Sequence, residues 1–422
     1  VHGGLRYLAT GDIATAKESA YERHLLMTVI APHLIHALPQ LLPFSPSVTL
    51  TQRVAGTVGM GLGDLLRMRA RTPRSALPSP RLVSARTALR LAPPLSPHGL
   101  RGAMLSFDGQ LVDDARLVTT VARTAASFGA RVLTRVRALS LRADGVTAED
   151  TLTGERIELR ARAVINATGV WAGSLDESLT VRPSRGTHIV LDAADLGSPT
   201  AALTVPHEGS ISRYVFALPQ AHGRVIVGLT DEDAPGPVPL VPEPTEAEIT
   251  FLLDSVNRVL ATPLRREQVR GSFAGLRPLV DTRDATGTTA DISRKHLVSE
   301  SEGVISVLGG KLTTYRRMAE DAVDRATAVR RLPASNSQTS ALRLVDHRGS
   351  SAASARADAA DPIADGIDLP RSAVEYAVRS EGALTVDDVL DRRTRIGLVG
   401  ADRERCRATV EGIVNEVLAS VE

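Results

Sequence analysis

Apolar residues recur at helical spacing from Ile13 to Ile30, with Asp12 placed to cap the run and Ala31-Pro32 to end it. Three prolines between residues 38 and 50 predict irregular chain. Thr51 to Ala70 is apolar but broken by glycines, and it closes on Arg67, Arg69 and Arg71. Proline-rich connections follow to about residue 98. A strong helix opens at Val112-Asp113-Asp114-Ala115-Arg116-Leu117 and runs to Phe128, its acids suited to the positive helix end.

Beyond Gly129 the period shortens. Arg131 to Leu141 alternates as a strand, and Gly145 to Glu149 with Arg156 to Leu159 predict a meander around Thr153-Gly154. Ala163-Val164-Ile165-Asn166-Ala167 reads as a short buried strand that stops at Thr168-Gly169. From about 180 to 300 the pattern is β-rich, in Thr187 to Leu191, Tyr214 to Leu218 and Arg224 to Leu229, with one amphipathic helix at Glu246 to Leu260. Val304 to Leu308 is a strand ending in Gly309-Gly310, and Lys311 to Ala328 a helix. Residues 331–370, rich in Ala, Ser, Asp and Pro, predict a linker ahead of a helical module from Ser372 to Glu422.

Composition narrows the class. The 422 residues are 43% hydrophobic, enough for one large core or two moderate ones. Fifty basic residues against 48 acidic ones give no basis for a nucleic-acid partner. The single cysteine, Cys406, rules out an internal disulfide framework and suits a reducing compartment; it reads as a small buried hydrophobe. No apolar run reaches the ~18 residues of a membrane span. The chain opens Val1-His2-Gly3-Gly4-Leu5-Arg6, without signal-peptide character and with no strand ahead of the glycine pair, so its start reads as cut or mis-set.

The clearest chemical signal is Val304 to Tyr315, where a buried strand meets two glycines and then a helix. The glycines let a ligand approach backbone, and the helix start favours an electron-rich group such as a flavin pyrimidine edge. The alternative is a tight turn that binds nothing. Ile165-Asn166-Ala167-Thr168-Gly169-Val170-Trp171 is a second strand ending in small residues. His2-Gly3-Gly4-Leu5-Arg6-Tyr7-Leu8 sets a glycine pair beside a cation and a phenol, a combination also found on ordinary solvated surfaces. Phe273 to Leu279 plants Arg277 among apolar residues, where it needs either an internal ion-pair partner or a ligand anion. With Arg6, Arg294 and Lys311 it suffices to hold a phosphate dianion. Gly59-Met60-Gly61-Leu62-Gly63 lacks nucleotide-loop spacing and reads as helix packing. No metal-ligand motif and no G-x-S-x-G is present.

Taken in order, His2 to Leu8, Val112 to Leu117, Asn166 to Trp171, Gly186-Thr187-His188-Ile189-Val190, Gly275 to Leu279 and Gly309 to Arg316 resemble the aerobic, FAD-dependent glycerol-3-phosphate dehydrogenases of the D-amino-acid-oxidase-like flavoprotein superfamily. The likeness runs from residue 1 to about 330 and returns at Val386 to Arg395. Family members place a strand, a G-x-G-x-x-G loop and a ribose-binding acid ahead of the His-Gly-Gly segment. Neither loop nor acid is here, so the copy reads as truncated by on the order of thirty residues or more, which bears on whether it holds FAD.

The resemblance implies an α/β fold: a Rossmann-like FAD domain from segments of about 1–40, 110–175 and 300–330, with an antiparallel-sheet substrate domain from about 41–109 and 176–299 inserted. The linker at 331–370 and a helical domain at 371–422 follow. It implies oxidation of sn-glycerol 3-phosphate to dihydroxyacetone phosphate with electrons passed to a membrane quinone. The protein would be cytoplasmic and peripheral on the inner face of the cell membrane. Gly3, Gly4 and Leu5 would pass the isoalloxazine, Val136 would meet the adenosine end, and Thr168 and Gly169 would lie along the ribityl phosphate. Gly310, Lys311, Leu312 and Thr313 would face the pyrimidine. Arg6, Tyr7, Arg277, Arg294 and Lys311 would face substrate. His188 is the candidate base, since imidazole titrates near working pH; a lone strand histidine is otherwise structural. An oxygen-using oxidase, an amine or amino-acid oxidase and an inactive fragment stay open, as do monomer and homodimer. For the bilayer contact the candidate is Thr51 to Arg71, whose alternative is a helix packed on the substrate domain.

Overall fold

A computed structural model of the chain describes residues 1–4, 7, 11–280, 296–346 and 362–420. In chain order the helices are α1 (Ile13–Leu25), α2 (Leu50–Arg69), α3 (Ala85–Leu91), α4 (Asp114–Ser127), α5 (Ala172–Leu175), α6 (Glu246–Asn257), α7 (Tyr315–Val329), α8 (Arg371–Glu381) and α9 (Gly400–Ala419). The strands are β1 (Ile35–Pro43), β2 (Arg81–Val83), β3 (Ala103–Leu111), β4 (Val136–Arg142), β5 (Gly145–Asp150), β6 (Arg156–Arg160), β7 (Val164–Asn166), β8 (Val181–Asp192), β9 (Ala202–Pro206), β10 (Tyr214–Gln220), β11 (Arg224–Gly228), β12 (Glu232–Asp233), β13 (Val269–Val280), β14 (His296–Ser301), β15 (Val304–Gly309), β16 (Pro362–Ala364) and β17 (Ile367–Pro370).

A large mixed sheet runs β8-β11-β10-β9-β1-β3-β2, with β12 and the long β13 also on β8. All its pairs are antiparallel except β1 with β9. One face packs on α6, where Ile249, Leu252 and Val256 meet Ile189, Leu191, Val225 and Val227. The helix is held in phase by a capping box of Thr245 and Glu248. A second sheet, β14-β15-β7, sets β15 parallel to β7 and carries α7 behind it. The predicted meander is β4-β5-β6, a separate small sheet.

Two predicted features are corrected. The irregular stretch at 38–50 is largely strand β1, despite Pro39 and Pro43. Only Gln40 and Leu41 pair on the β9 side, so the prolines flank the two-sided part of the strand, where a missing N–H does least harm. The glycines of Gly59 to Gly63 were expected to pack, yet side chains at Gly59 or Gly61 would meet open space. The tight approach in α2 is at Gly56, whose Cβ would lie 2.4 Å from Leu42.

The end of the predicted linker also belongs to folded structure. Leu344 lies in the cluster beneath α1 and donates its N–H to Ile30 O at 2.8 Å. Ile363 and Ile367 of the β16-β17 hairpin are buried with Val374, Val410 and Ile413 in the C-terminal core; Cys406 is buried there too. Arginine–carboxylate pairs dock this module: Arg135 with Asp388 at 2.5 Å, Arg395 with Asp114 at 3.3 Å, and the close pairs Arg116–Glu381 and Arg224–Asp402. The two motifs that resembled the family at Val112 to Leu117 and Val386 to Arg395 are thus the two sides of one interface.

Candidate active site

The turn after β15 is built from two consecutive left-handed glycines, Gly309 at φ 69° and Gly310 at φ 72°. Only glycine adopts that pair of conformations without steric cost. They deliver Lys311 to the start of the helical turn Leu312–Thr314, which runs into α7. Thr313 is buried and Leu312 is exposed. Against this turn lies the opening segment of the chain: the His2 N–H donates to Thr313 Oγ1 at 3.3 Å. Gly4, at φ 76°, turns so that Tyr7 lies under Lys311, whose Nζ sits 4.2 Å from the phenol ring centroid. Lys311 Nζ also donates to Ser19 Oγ of α1, a fully buried hydroxyl. Ser19 carries no local signal of this role, since in sequence it looks like any helix residue.

Gly3 is pressed from the other side. Its N–H points to Asp108 Oδ2 at 3.4 Å, and a Cβ on it would lie 2.5 Å from Arg23 Nη1. Arg23 and Asp108 form a buried ion pair at 2.7 Å, and Arg23 with its other neighbours holds the Asp108 carboxyl below its usual range against the cost of burial. The glycine pair is therefore clamped between a buried salt bridge and the lysine turn.

The second group stands on β8 and β13. Register pairs Arg277 with Ser184 and Phe273 with His188. Arg277 reaches across Gly186, whose Cβ would lie 2.1 Å from Nη2. Its Nη1 donates to Ser184 Oγ and Asp231 Oδ1, each at 3.3 Å, and its Nη2 to Thr230 O at 3.2 Å. The internal partner weighed for this arginine is therefore present, as Asp231. His188 stacks on Phe273 with centroids 5.0 Å apart and 8° between planes. Its Nδ1 is sealed from solvent without a hydrogen-bond partner among the described residues. Burial first, then Arg277, push its pKa down to about 4. The ring is uncharged at neutral pH, the form a proton acceptor needs.

The Thr168-Gly169 turn lies between the groups, against β13. Asn166 shapes it by accepting from Thr168 N–H at 3.3 Å and Thr168 Oγ1 at 2.6 Å, and Gly169 turns at φ 62°. A crevice of about 510 Å³ opens there, lined by Val170, Trp171, Leu179, Val181, Pro183 and Val238 among others. Val136 opens the separate meander, half-buried. Leu5, Arg6 and Arg294 lie outside the described residues.

The FAD dependent oxidoreductase family model matches residues 1–316. Glycerol-3-phosphate dehydrogenase 1 of Mycobacterium tuberculosis is 51% identical over 440 aligned residues, covering 97% of this chain and 85% of that protein. The chain belongs to the FAD-dependent glycerol-3-phosphate dehydrogenase family. Among solved structures, the dehydrogenase of this family from Bacillus halodurans, complexed with FAD, superimposes with a TM-score of 0.66 at 22% identity, over 96% of this chain and 84% of that one. The L-alpha-glycerophosphate oxidase of Mycoplasma pneumoniae shares the fold at TM-score 0.55 and 15% identity, over 79% and 84%.

FAD is the cofactor of this dehydrogenase family, and the residues present suit it. Left-handed glycines ahead of a helix start leave backbone N–H groups to meet a flavin edge. Gly3, Gly4 and Gly310 carry no Cβ where the side chains of Arg23, Tyr7 and Met318 crowd in, so the backbone there stays narrow. No helix among the described residues is long and apolar enough to cross a membrane.

Proposed function

We propose that the protein oxidises sn-glycerol 3-phosphate to dihydroxyacetone phosphate and passes the electrons to a membrane quinone. The observation that carries the reading is the placing of an uncharged His188 and the cation Arg277 on one face of the β8-β13 ribbon. Bound FAD supplies the hydride acceptor. His188 takes the hydroxyl proton as hydride leaves the same carbon. Arg277 and Lys311, with Arg6 and Arg294, hold the phosphate and the oxygen on which charge develops. Tyr7 fixes Lys311 through its ring face. Ser184 and Asp231 keep the Arg277 fork aimed, so that little orientation remains to be lost on binding.

A bilayer acceptor is favoured over oxygen by α2. Leu50, Val54, Val58, Leu62, Leu65 and Met68 form an exposed stripe along it, each at least 42% accessible. Arg69 and Arg71 stand exposed at its end. Arg67, expected to face lipid with them, is instead buried on Asp64 and Thr72 O. Leu66 is likewise core.

Anaerobic mixing of the FAD-loaded protein with glycerol 3-phosphate tests the reading. Flavin bleaching, followed by reoxidation faster with a soluble quinone than with oxygen, is expected. Arg277→Ala should abolish bleaching with flavin still bound. An unbleached flavin in the parent protein, or full bleaching in the variant, refutes the assignment.

A further inference from the structure

The polar face of the β8-β13 ribbon continues into the C-terminal module. Register sets Val190 opposite Gly271, His188 opposite Phe273, Gly186 opposite Gly275 and Ser184 opposite Arg277. Alternate residues of a strand share a face, so these pairs form one row. At its first end the Leu398 carbonyl rests on Gly271, where a Cβ would lie 1.9 Å from the oxygen. Leu398 and Val399 pack with Val190, Ile226 and Phe273 in a small apolar cluster separate from the main core. Phe273 in turn stacks on His188, and the far side of that ring lies over Gly228, where a Cβ would fall 2.0 Å from Cδ2. The row ends at Arg277, seated over Gly186.

The imidazole is therefore held by shape alone on two sides, and its Nδ1 has no hydrogen-bond partner among the described residues to set its orientation. A histidine without such a partner depends on its neighbours for ring orientation. The neighbour that fixes this one is Phe273, and what backs Phe273 is Leu398-Val399. Those two residues sit on a module locked down by Arg224–Asp402 and Arg135–Asp388.

We infer that the C-terminal module completes the active site at one remove: Leu398 and Val399 brace Phe273, and Phe273 holds His188 in its working orientation. Phe273 and Val399 are positioning residues that do not touch substrate. The inference rests on the role proposed for His188 and gives the C-terminal module a task in the reaction beyond its own stability.

The test compares three variants of the FAD-loaded full chain. Phe273→Leu keeps an apolar side chain but removes the stacked ring. Gly271→Ala lifts the Leu398 carbonyl without touching Phe273. Phe273→Tyr restores the ring. Two readouts are taken: steady-state kinetics with glycerol 3-phosphate, and the rate at which diethylpyrocarbonate modifies His188, mapped by mass spectrometry. In Phe273→Leu and Gly271→Ala, kcat should fall by about 10- to 100-fold, the scale of a misplaced reacting group, with KM little changed. His188 should be modified faster in both. Phe273→Tyr should match the parent on both readouts. Parental kcat and modification rates in Phe273→Leu and Gly271→Ala overturn the inference. So does loss of flavin and of cooperative melting with kcat per bound flavin unchanged, which marks packing alone. Parental turnover in His188→Asn sinks the base assignment by itself; the modification rates then still decide whether Phe273 fixes the ring.

Discussion

Arg316 grips both carboxylate oxygens of Glu22, Nε to Oε2 at 2.9 Å and Nη2 to Oε1 at 2.6 Å, with the side chains 7% and 1% exposed. The pair ties α7 to α1 and so sets Lys311 beside Ser19. Its hydrogen bonds raise the Arg316 pKa, led by those to Glu22. Breaking it leaves the buried Arg316 fork on Glu320 and Thr339 alone, with the Nε and Nη2 donors unpaired. Glu22→Gln should lower unfolding free energy by about 3–5 kcal/mol. Glu22→Leu with Arg316→Met should recover most of that loss, because two apolar groups need no partner. Urea melts of the three proteins decide; a single mutant within error of the parent would remove the pair from the account.

Gly310→Ala places a side chain at φ 72° and 2.4 Å from Met318 Sδ. The sulfur can move, so the left-handed backbone dominates, at roughly 1–2 kcal/mol. The turn should also shift, lowering flavin occupancy after purification. Absorbance at the flavin band against protein concentration reads this directly, and parental occupancy would show that the turn does not border the cofactor.

His188 gives stability a pH signature. Its folded pKa of about 4 lies below the usual 6.5. The unfolded chain therefore binds the proton first. The stability linked to the neutral ring is complete above pH 6.5, is lost as pH falls toward 4, and changes no further below. The total is roughly 3 kcal/mol. Subtracting the pH dependence of His188→Asn from that of the parent should leave this slope; parallel curves would mean that the ring titrates normally.

On α2, replacing Val54, Val58, Leu62 and Leu65 with serine changes residues that are 42–55% exposed. Each should alter stability by less than about 0.5 kcal/mol. Binding to anionic vesicles should disappear, and salt should weaken what Arg69 and Arg71 add, about 1 kcal/mol each. Leu66→Ser, at a 6% exposed site, should destabilise instead. Undiminished sedimentation with vesicles after the fourfold change would assign membrane contact to another surface.

The strand-glycine-helix at Val304 to Thr313 was legible because every part of it is local: an apolar run, two glycines, then helical spacing. The Asn166 to Gly169 turn was legible for the same reason. Strand β1 was not, because prolines argue against a strand when its neighbours are unknown, and its partners lie at Ala103–Leu111 and Ala202–Pro206. The stack of Phe273 on His188 follows from register between residues 85 positions apart, which no short window holds. Arg116 was visible as part of a motif, but Glu381, its partner, lies 265 residues away. Arg67 shows the limit of charge patterning: a basic residue beside two exposed ones was drawn inward by Asp64.

The contact between His2 and Thr313 joins residues 311 positions apart. A ribosome adding about 5–20 residues per second takes roughly fifteen to sixty seconds to cover that distance. Throughout that interval the glycine pair has been made and the lysine turn it packs against does not yet exist. The buried hydroxyl of Ser19 is without its ammonium donor for as long. The glycine pair and Ser19 thus wait for partners made about three hundred residues later, a long exposure in which holding by a chaperone protects the unfinished protein.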